Sequence, residues 1–305
     1  MAKLTIPDEL KQDVQQTPWG KILVATPIIM TVIATALAGL ASSEMTRAQY
    51  SQSLAAQQQS KAGDQWGFFQ AKRLRGAIQR NTIDILQNTA HVHPLNAGVF
   101  DQAGVTSLQS PAGQQAIAAL VKGELPDAPT ATAASPELQS ALDALDSQKP
   151  ESEIRSLTAK IKDKDLHEAL QAAQDRAQTF DASIGPINKM VDQLERTVAT
   201  GGDKSLLCDF TAARLRYTAI RYDSEARLNQ AIGDIYELQV RKSNLDADRH
   251  HHRSQQFFYG MLGAQLAVIV STFALAARKK NVLWSLAAAA GAAAVGFAAY
   301  VYLRM

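Results

Sequence analysis

Three stretches of the chain are apolar and free of charge: residues 22–43 (ILVATPIIMTVIATALAGLASS), 257–277 (FFYGMLGAQLAVIVSTFALAA) and 282–303 (VLWSLAAAAGAAAVGFAAYVYL). Each has the roughly 20 residues a helix needs to cross the hydrocarbon core of a bilayer. Backbone polar groups must be satisfied within the segment there, so the pattern predicts three transmembrane helices. Trp19, Phe257, Phe258, Tyr259, Trp284, Tyr300 and Tyr302 fall near the ends, as interfacial aromatic anchors do. Pro27 is expected to disturb one turn of the first span. Only Arg278-Lys279-Lys280-Asn281 separates the last two spans, which must then form a tight hairpin. Small residues at four-residue spacing mark the packing faces: Gly263, Ala267 and Ser271 on one helix, Ala292 and Gly296 on the other. Gln265 is expected to hydrogen-bond between helices. The first span is taken as a retained anchor, being longer than a signal core and preceded by Asp8, Glu9 and Asp13.

Between the first two spans the pattern is helical and half polar. After an N-terminal tail (1–21) and the first span, residues 44–90 contain no proline and predict a first helical arm continuous with that span. Ala71, Leu74, Ile78, Ile85 and Leu86 form an apolar stripe along it. His91-Val92-His93-Pro94 ends the arm. Residues 91–136 form a proline-rich loop or linker, including PDAPTATAASP and a short helix over 110–122. Residues 137–202 predict short helices, with one starting at Pro136 and others over 151–181 and 186–200, ended by Gly201-Gly202.

Asp203 caps a second arm (203–256) that runs into the second span. Phe210, Ala213, Tyr217, Ile220, Ser224, Leu228, Ala231, Ile235, Leu238, Lys242 and Leu245 recur three and four apart along it, a coiled-coil-like seam. Neither strand alternation nor an internal repeat is visible. The predicted fold is all-α: three transmembrane helices, with a long antiparallel helical arm domain between spans one and two. The arms would rise about 65–80 Å at 1.5 Å per residue.

If both arms leave one membrane face, residues whose numbers add to about 299 oppose each other. Trp66 then meets Gly233, beside Ile232 and Tyr236, and Gly63 and Gly67 let the arms close around the ring. Lys72, Arg73 and Arg75 fall near Asp223 and Glu225, and Asp84 near Arg214 and Arg216. Trp66, Phe69, Lys72, Arg73, Gly233 and Glu225 are thus a candidate arm clamp, its charges fixing register more than stability.

Charge and chemistry narrow the function. The net charge of +2 gives no nucleic-acid footprint. Cys208 is the single cysteine, which excludes a disulfide framework or a multi-cysteine metal site. No phosphate loop, nucleophile elbow or zinc helix is present, so no enzyme activity, cofactor or metal is expected. His91 and His93 supply two ligands where a closed zinc site needs four. Arg249, His250, His251, His252 and Arg253 are expected to form an interfacial basic collar whose charged heads meet lipid phosphates. Consecutive helical histidines point about 100° apart and cannot share one ion. No span holds an ionisable side chain, which argues against an ion path. Arg278, Lys279 and Lys280, with Lys11 and Lys21, favour a cytoplasmic side and send residues 44–256 into the periplasm of a bacterial inner membrane, against the opposing Arg47, Arg249 and Arg253.

Two stretches carry a resemblance: SKAGDQWGFFQAKRLR (60–75), after the first span, and RHHHRSQQFFYGMLGAQLAV (249–268), leading into a paired span. With Asp64-Gln65-Trp66 followed by Gln70-Ala71-Lys72, the chain resembles an uncharacterised family of prokaryotic membrane proteins known as a domain of unknown function. The proline-rich middle lies outside the resemblance. It implies a helical membrane protein and supplies no activity, cofactor or functional residue. The expected function is non-enzymatic scaffolding by a self-associating, homo-oligomeric module in the lipid bilayer. The alternative is a sensor or transporter-accessory subunit that binds an unidentified membrane-protein partner through the middle region.

Overall fold

The computed structural model describes residues 18–98, 109–126, 134–276 and 280–304. Among them, the regular elements are seven helices: α1 (Pro18–Thr89), α2 (Pro111–Lys122), α3 (Pro136–Asp146), α4 (Glu151–Thr158), α5 (Asp163–Thr200), α6 (Lys204–Ala276) and α7 (Lys280–Arg304). The fold is all-α. Three helices are long and apolar enough to cross a membrane, α1, α6 and α7. Most of the N-terminal tail, Arg278, Lys279 and most of the PDAPTATAASP run lie outside the described residues.

The chain divides into two compact units: Met1–Leu54 with Ser243–Met305, and Ala55–Lys242. The first contains the apolar spans. Its core is Ala34, Leu37, Ala41, Phe257, Ala264, Ala294 and Val301, mostly small residues that let helices approach closely. A Cβ added at Gly260 would stand 3.5 Å from Leu37 Cδ1, and one at Gly291 would overlap Met30. This corrects the expected face of the third span. Ala292 and Gly296 are exposed, whereas Ala287, Gly291 and Ala294 are buried, because only the glycine at 291 leaves room for the Met30 side chain. Gln265 is also exposed and makes no interhelical hydrogen bond among the described residues. One cross-helix polar contact is made by Trp284, whose Nε1 donates to Thr26 Oγ1 at 3.0 Å.

In the second unit α6 is packed on two faces. Phe210, Ala213, Tyr217 and Leu228 meet Ala116, Ala119 and Leu120 of α2 and Phe180, Ile184, Ile187, Val191 and Leu194 of α5. Ile232, Ile235, Tyr236 and Leu238 join α3, α4 and the start of α5, with Ala62 of α1. The predicted seam therefore does not pair the two long helices, as a two-stranded coiled coil would. Its bulky residues are spent on the shorter helices.

Toward α1, α6 presents Ala219 and Gly233, with Ala212 and Ala226 at the same seven-residue spacing, all buried. The α1 face is likewise spaced by seven: Ala55, Ala62, Gly76 and Ile83 are buried, with Phe69 half-buried. The apolar stripe expected to face inward does the reverse. Ala71, Leu74, Ile78 and Ile85 are exposed, and only Leu86 is partly covered. Small residues make up most of that face, with Ile83 and Phe69 the large exceptions, and Leu74, Ile78 and Ile85 stay outside.

Residues 137–202 include one long helix where short ones were expected. α5 continues through Gly185 and Pro186. The proline costs a hydrogen bond and about 3 kcal/mol. Five large apolar residues, Phe180, Ile184, Ile187, Val191 and Leu194, stay buried in one stripe across it, each burial worth about 1.5–3 kcal/mol. The break falls instead between Thr158 and Asp163, without proline or glycine. Ile161 precedes the N-cap Lys162 and packs in one cluster with Leu166, both buried, as a hydrophobic staple that sets the entry angle of α5.

Candidate functional site: the α1–α6 notch, the basic segment and an acidic cavity

The notch begins with the missing side chain at Gly233. An added Cβ there would lie 3.5 Å from Trp66 Nε1 and 3.6 Å from Gln65 Cβ, so the indole lies directly against the α6 backbone. Trp66 Nε1 donates to Glu237 Oε1 at 2.8 Å. Phe69 meets the indole edge-on, with ring centroids 5.4 Å apart. Glu237 Oε2 accepts from Arg241 Nη1 at 3.0 Å, and Arg241 Nε reaches Glu151 Oε1 at 3.2 Å. Burial works against the Arg241 charge, but these two carboxylates outweigh it and raise its pKa further.

One turn and more along α1, Lys72 Nζ donates to Glu225 Oε2 at 2.6 Å. Arg80 is bidentate on Asp223, at 2.7 and 2.8 Å, and Arg73 lies 3.9 Å from the same carboxylate. Gly76 makes room for that approach: a Cβ there would stand 3.4 Å from Asp223 Oδ1 and 3.6 Å from the Ala219 carbonyl. The structure thus brings Trp66, Phe69, Lys72, Arg73, Gly233 and Glu225 to one side of α1. Gly63 and Gly67 are not part of it, having nothing within 4 Å of an added Cβ. Arg75 and Asp84 are exposed and form no ion pair among the described residues; Arg214 pairs with Glu195 instead. Sequence reasoning missed Glu237, Arg241 and Arg80. Their signal is the i,i+4 spacing of Glu237 and Arg241 and the position of Arg80 one turn past Gly76.

The segment Arg249–Arg253 is not a uniform collar. Arg249 is exposed and pairs with Asp246 at 3.4 Å, and His251 and His252 are exposed. His250 turns inward, its Nδ1 2.6 Å from Glu44 Oε2. Arg253 is half-buried, with its Nε unbonded among the described residues. The departure has a physical cause. Glu44 is buried, and a buried carboxylate needs partners, which Arg47 and His250 supply. One residue past the segment, Ser254 Oγ donates to the Ala41 carbonyl at 2.8 Å, fixing this face toward α1.

A cavity of about 620 Å³ opens between α3, α5 and α6. Leu138, Leu142, Ala173 and Ile235 give it apolar walls, while Asp146, Asp165, Glu168, Asp234 and Arg176 also line it. Burial pushes the Asp234 carboxyl up to about 7, and the Asp146 and Glu237 charges add to that shift. The sequence offered no sign of this site, because its acids come from three separate helices. Among the described residues, no three His, Cys, Asp or Glu side chains converge as metal ligands.

Comparison with known proteins adds one finding. A family described as a domain of unknown function (DUF4337) matches residues 23–110. The match takes in the first apolar span and the α1 side of the notch, including residues 60–75, and leaves residues 249–268 outside. No curated protein and no solved structure matches the chain. Over residues 23–110, the chain is similar to a family whose description assigns no activity.

Proposed function

We propose that the protein is a non-enzymatic membrane scaffold that self-associates through the outer face of α1, in a bacterial inner membrane with residues 44–256 in the periplasm. The observation that carries this reading is the exposed stripe Leu74, Ile78 and Ile85, at 64, 50 and 63% exposure. A monomer gains nothing from holding three large apolar side chains in water along one helix face. Copies inserted in the same orientation meet in parallel, so like residues oppose like. Gly67, Ala71, Leu74, Ile78, Asn81 and Ile85 then alternate at spacings of four and three, the geometry of a parallel seam. Asn81 falls at a core position, where an amide fixes register at some cost in stability. Gln265, exposed on an apolar span, supports the same reading, since a neighbouring copy can satisfy an amide that lipid cannot.

The test is disulfide crosslinking in native membranes. Ile78→Cys in a Cys208→Ser background should give dimers, and Ile83→Cys, on the buried face, should not. Monomer alone from Ile78→Cys, together with a monomeric mass in mild detergent, would sink the reading. Cys208 in the unaltered chain tests sidedness: an impermeant thiol reagent should label it before the inner membrane is opened.

The second reading, a sensor or transporter-accessory subunit, is favoured by the acidic cavity beside α3. Co-purification of a defined transporter or signalling protein at fixed stoichiometry would support it over self-assembly.

A further inference from the structure

Two acidic side chains are buried among the described residues, Glu44 and Asp234. Glu44 is matched by Arg47 and His250. Asp234, at 8% exposure, has no hydrogen-bond or ion-pair partner among the described residues. The residue is largely buried while its carboxylate oxygens keep access to solvent, and the fold supplies them no donor and no evident reason for the charge. Its surroundings suggest the reason. Asp234 lines the 620 Å³ cavity, a volume in the range that encloses a small organic ligand.

The charges facing that space are lopsided. From α3 comes Asp146; from α5 come Asp165, Glu168 and the single cation Arg176; from α6 comes Asp234 itself. Glu168 is partly spoken for by Lys164, at 3.4 Å. Glu237, the other nearby α6 acid, is engaged by Trp66 and Arg241. A metal ion does not suit the site, because no three ligating side chains converge. A larger cation does. It would place its charge on Asp234 while covering Leu138, Leu142 and Ile235 with carbon, the combination of apolar wall and few polar groups that small-molecule sites share.

We propose that this cavity binds an organic cation, a protonated amine carried on an apolar body, with the ammonium on Asp234 and the body against Leu138, Leu142 and Ile235. Binding of this kind makes Asp234 a ligand-recognition residue and the three-helix corner a receptor site. It goes beyond the scaffold reading and stands or falls separately, since it is read on dispersed protein and needs no second copy.

The test is calorimetric titration of the full chain in a nonionic detergent with phenethylamine hydrochloride, and with 2-phenylethanol as the neutral counterpart. The amine should bind saturably and the alcohol at least about tenfold more weakly, as expected for loss of a charged hydrogen bond. Asp234→Asn should weaken the amine by at least about tenfold while leaving the circular dichroism spectrum and thermal midpoint intact or improved. Leu142→Trp, which fills the cavity without touching the carboxylate, should also remove binding and serves if the first variant does not fold. Equal affinity for amine and alcohol overturns the proposal. So does unchanged affinity in either folded variant, or no saturable binding of the amine at millimolar concentration.

Discussion

The two faces of α6 within Ala55–Lys242 solve the same packing problem in opposite ways. Toward α5 the helix offers Phe210, Tyr217 and Leu228, which interlock with Phe180, Ile184, Ile187 and Leu194. Even the polar tip there is internal: Tyr217 Oη donates to Asn188 Oδ1 at 2.6 Å, and burial raises its pKa to about 12. Toward α1 the same helix offers Ala219, Ala226 and Gly233, and the specific contacts are polar ones beside the small residues. The first face draws stability from buried area. The second draws proximity from absent side chains, and leaves the choice of register to one indole and a row of ion pairs.

Truncation and enlargement should separate the two. Phe210→Ala, in the fully buried α5 face, should cost about 3–5 kcal/mol, read as a drop in the thermal or urea midpoint by circular dichroism. A loss below about 1 kcal/mol would mean that this face does not carry the unit. Ala226→Leu should do the opposite kind of damage. With no exposure at that position, the added carbons force the helices apart at a cost of about 1–3 kcal/mol, and Trp66 fluorescence, in a Trp19→Phe, Trp284→Phe background, should shift to the red. Unchanged fluorescence would place Ala226 away from the α1 contact.

Asp234 is the flaw in the larger face. Its carboxyl has an ordinary value of 3.8 and rises to about 7 on folding, so the fold favours the protonated form. That contribution is fully present below about pH 4 and is lost as pH rises through 7. Asp234→Asn should therefore gain more stability at pH 8 than at pH 5, measured by urea unfolding at both; equal gains would contradict the shift. The smallest effect is expected from Gly233→Ala. The new methyl stands 3.5 Å from Trp66 Nε1, an ordinary contact, and alanine is the better helix former. The variant should be neutral or gain up to about 1 kcal/mol, whereas a clear loss would mean that the indole sits tighter on the backbone.

Much of this architecture is legible in the residues alone. Charge-free runs mark the apolar helices, and Asp203 caps α6 through the Ser205 and Leu206 amides as its position suggests. The facing of Trp66 and Gly233 follows from counting outward from the two span ends. The failures share a cause. Hydrophobicity picks out Leu74, Ile78 and Ile85 on α1, yet the helix is buried through Ala55, Ala62 and Gly76, which score as unremarkable. Smallness, not apolarity, marks that contact. Gly63 and Gly67 mislead for the mirror reason, since a glycine is informative only where another backbone or ring arrives. Pro186 reads as a stop until the stripe on both sides of it is seen to face one core. The acidic cavity is invisible in one dimension because Asp146, Asp165 and Asp234 come from three helices and line one space only in the folded chain.

The seven-residue spacing on both sides of the α1–α6 contact restricts how this pair can change length. One residue inserted into α1 turns everything beyond it by about 100°, swinging the small residues off the contact. Seven residues restore the face to within about 20°, but they carry Trp66 past its glycine by about 10.5 Å unless α6 gains seven as well. Viable insertions and deletions therefore come in matched pairs of seven. Sequences of this kind should differ in length by quantised, correlated steps in two segments some 150 residues apart, and a single uncompensated indel in either helix marks a chain that has lost the notch.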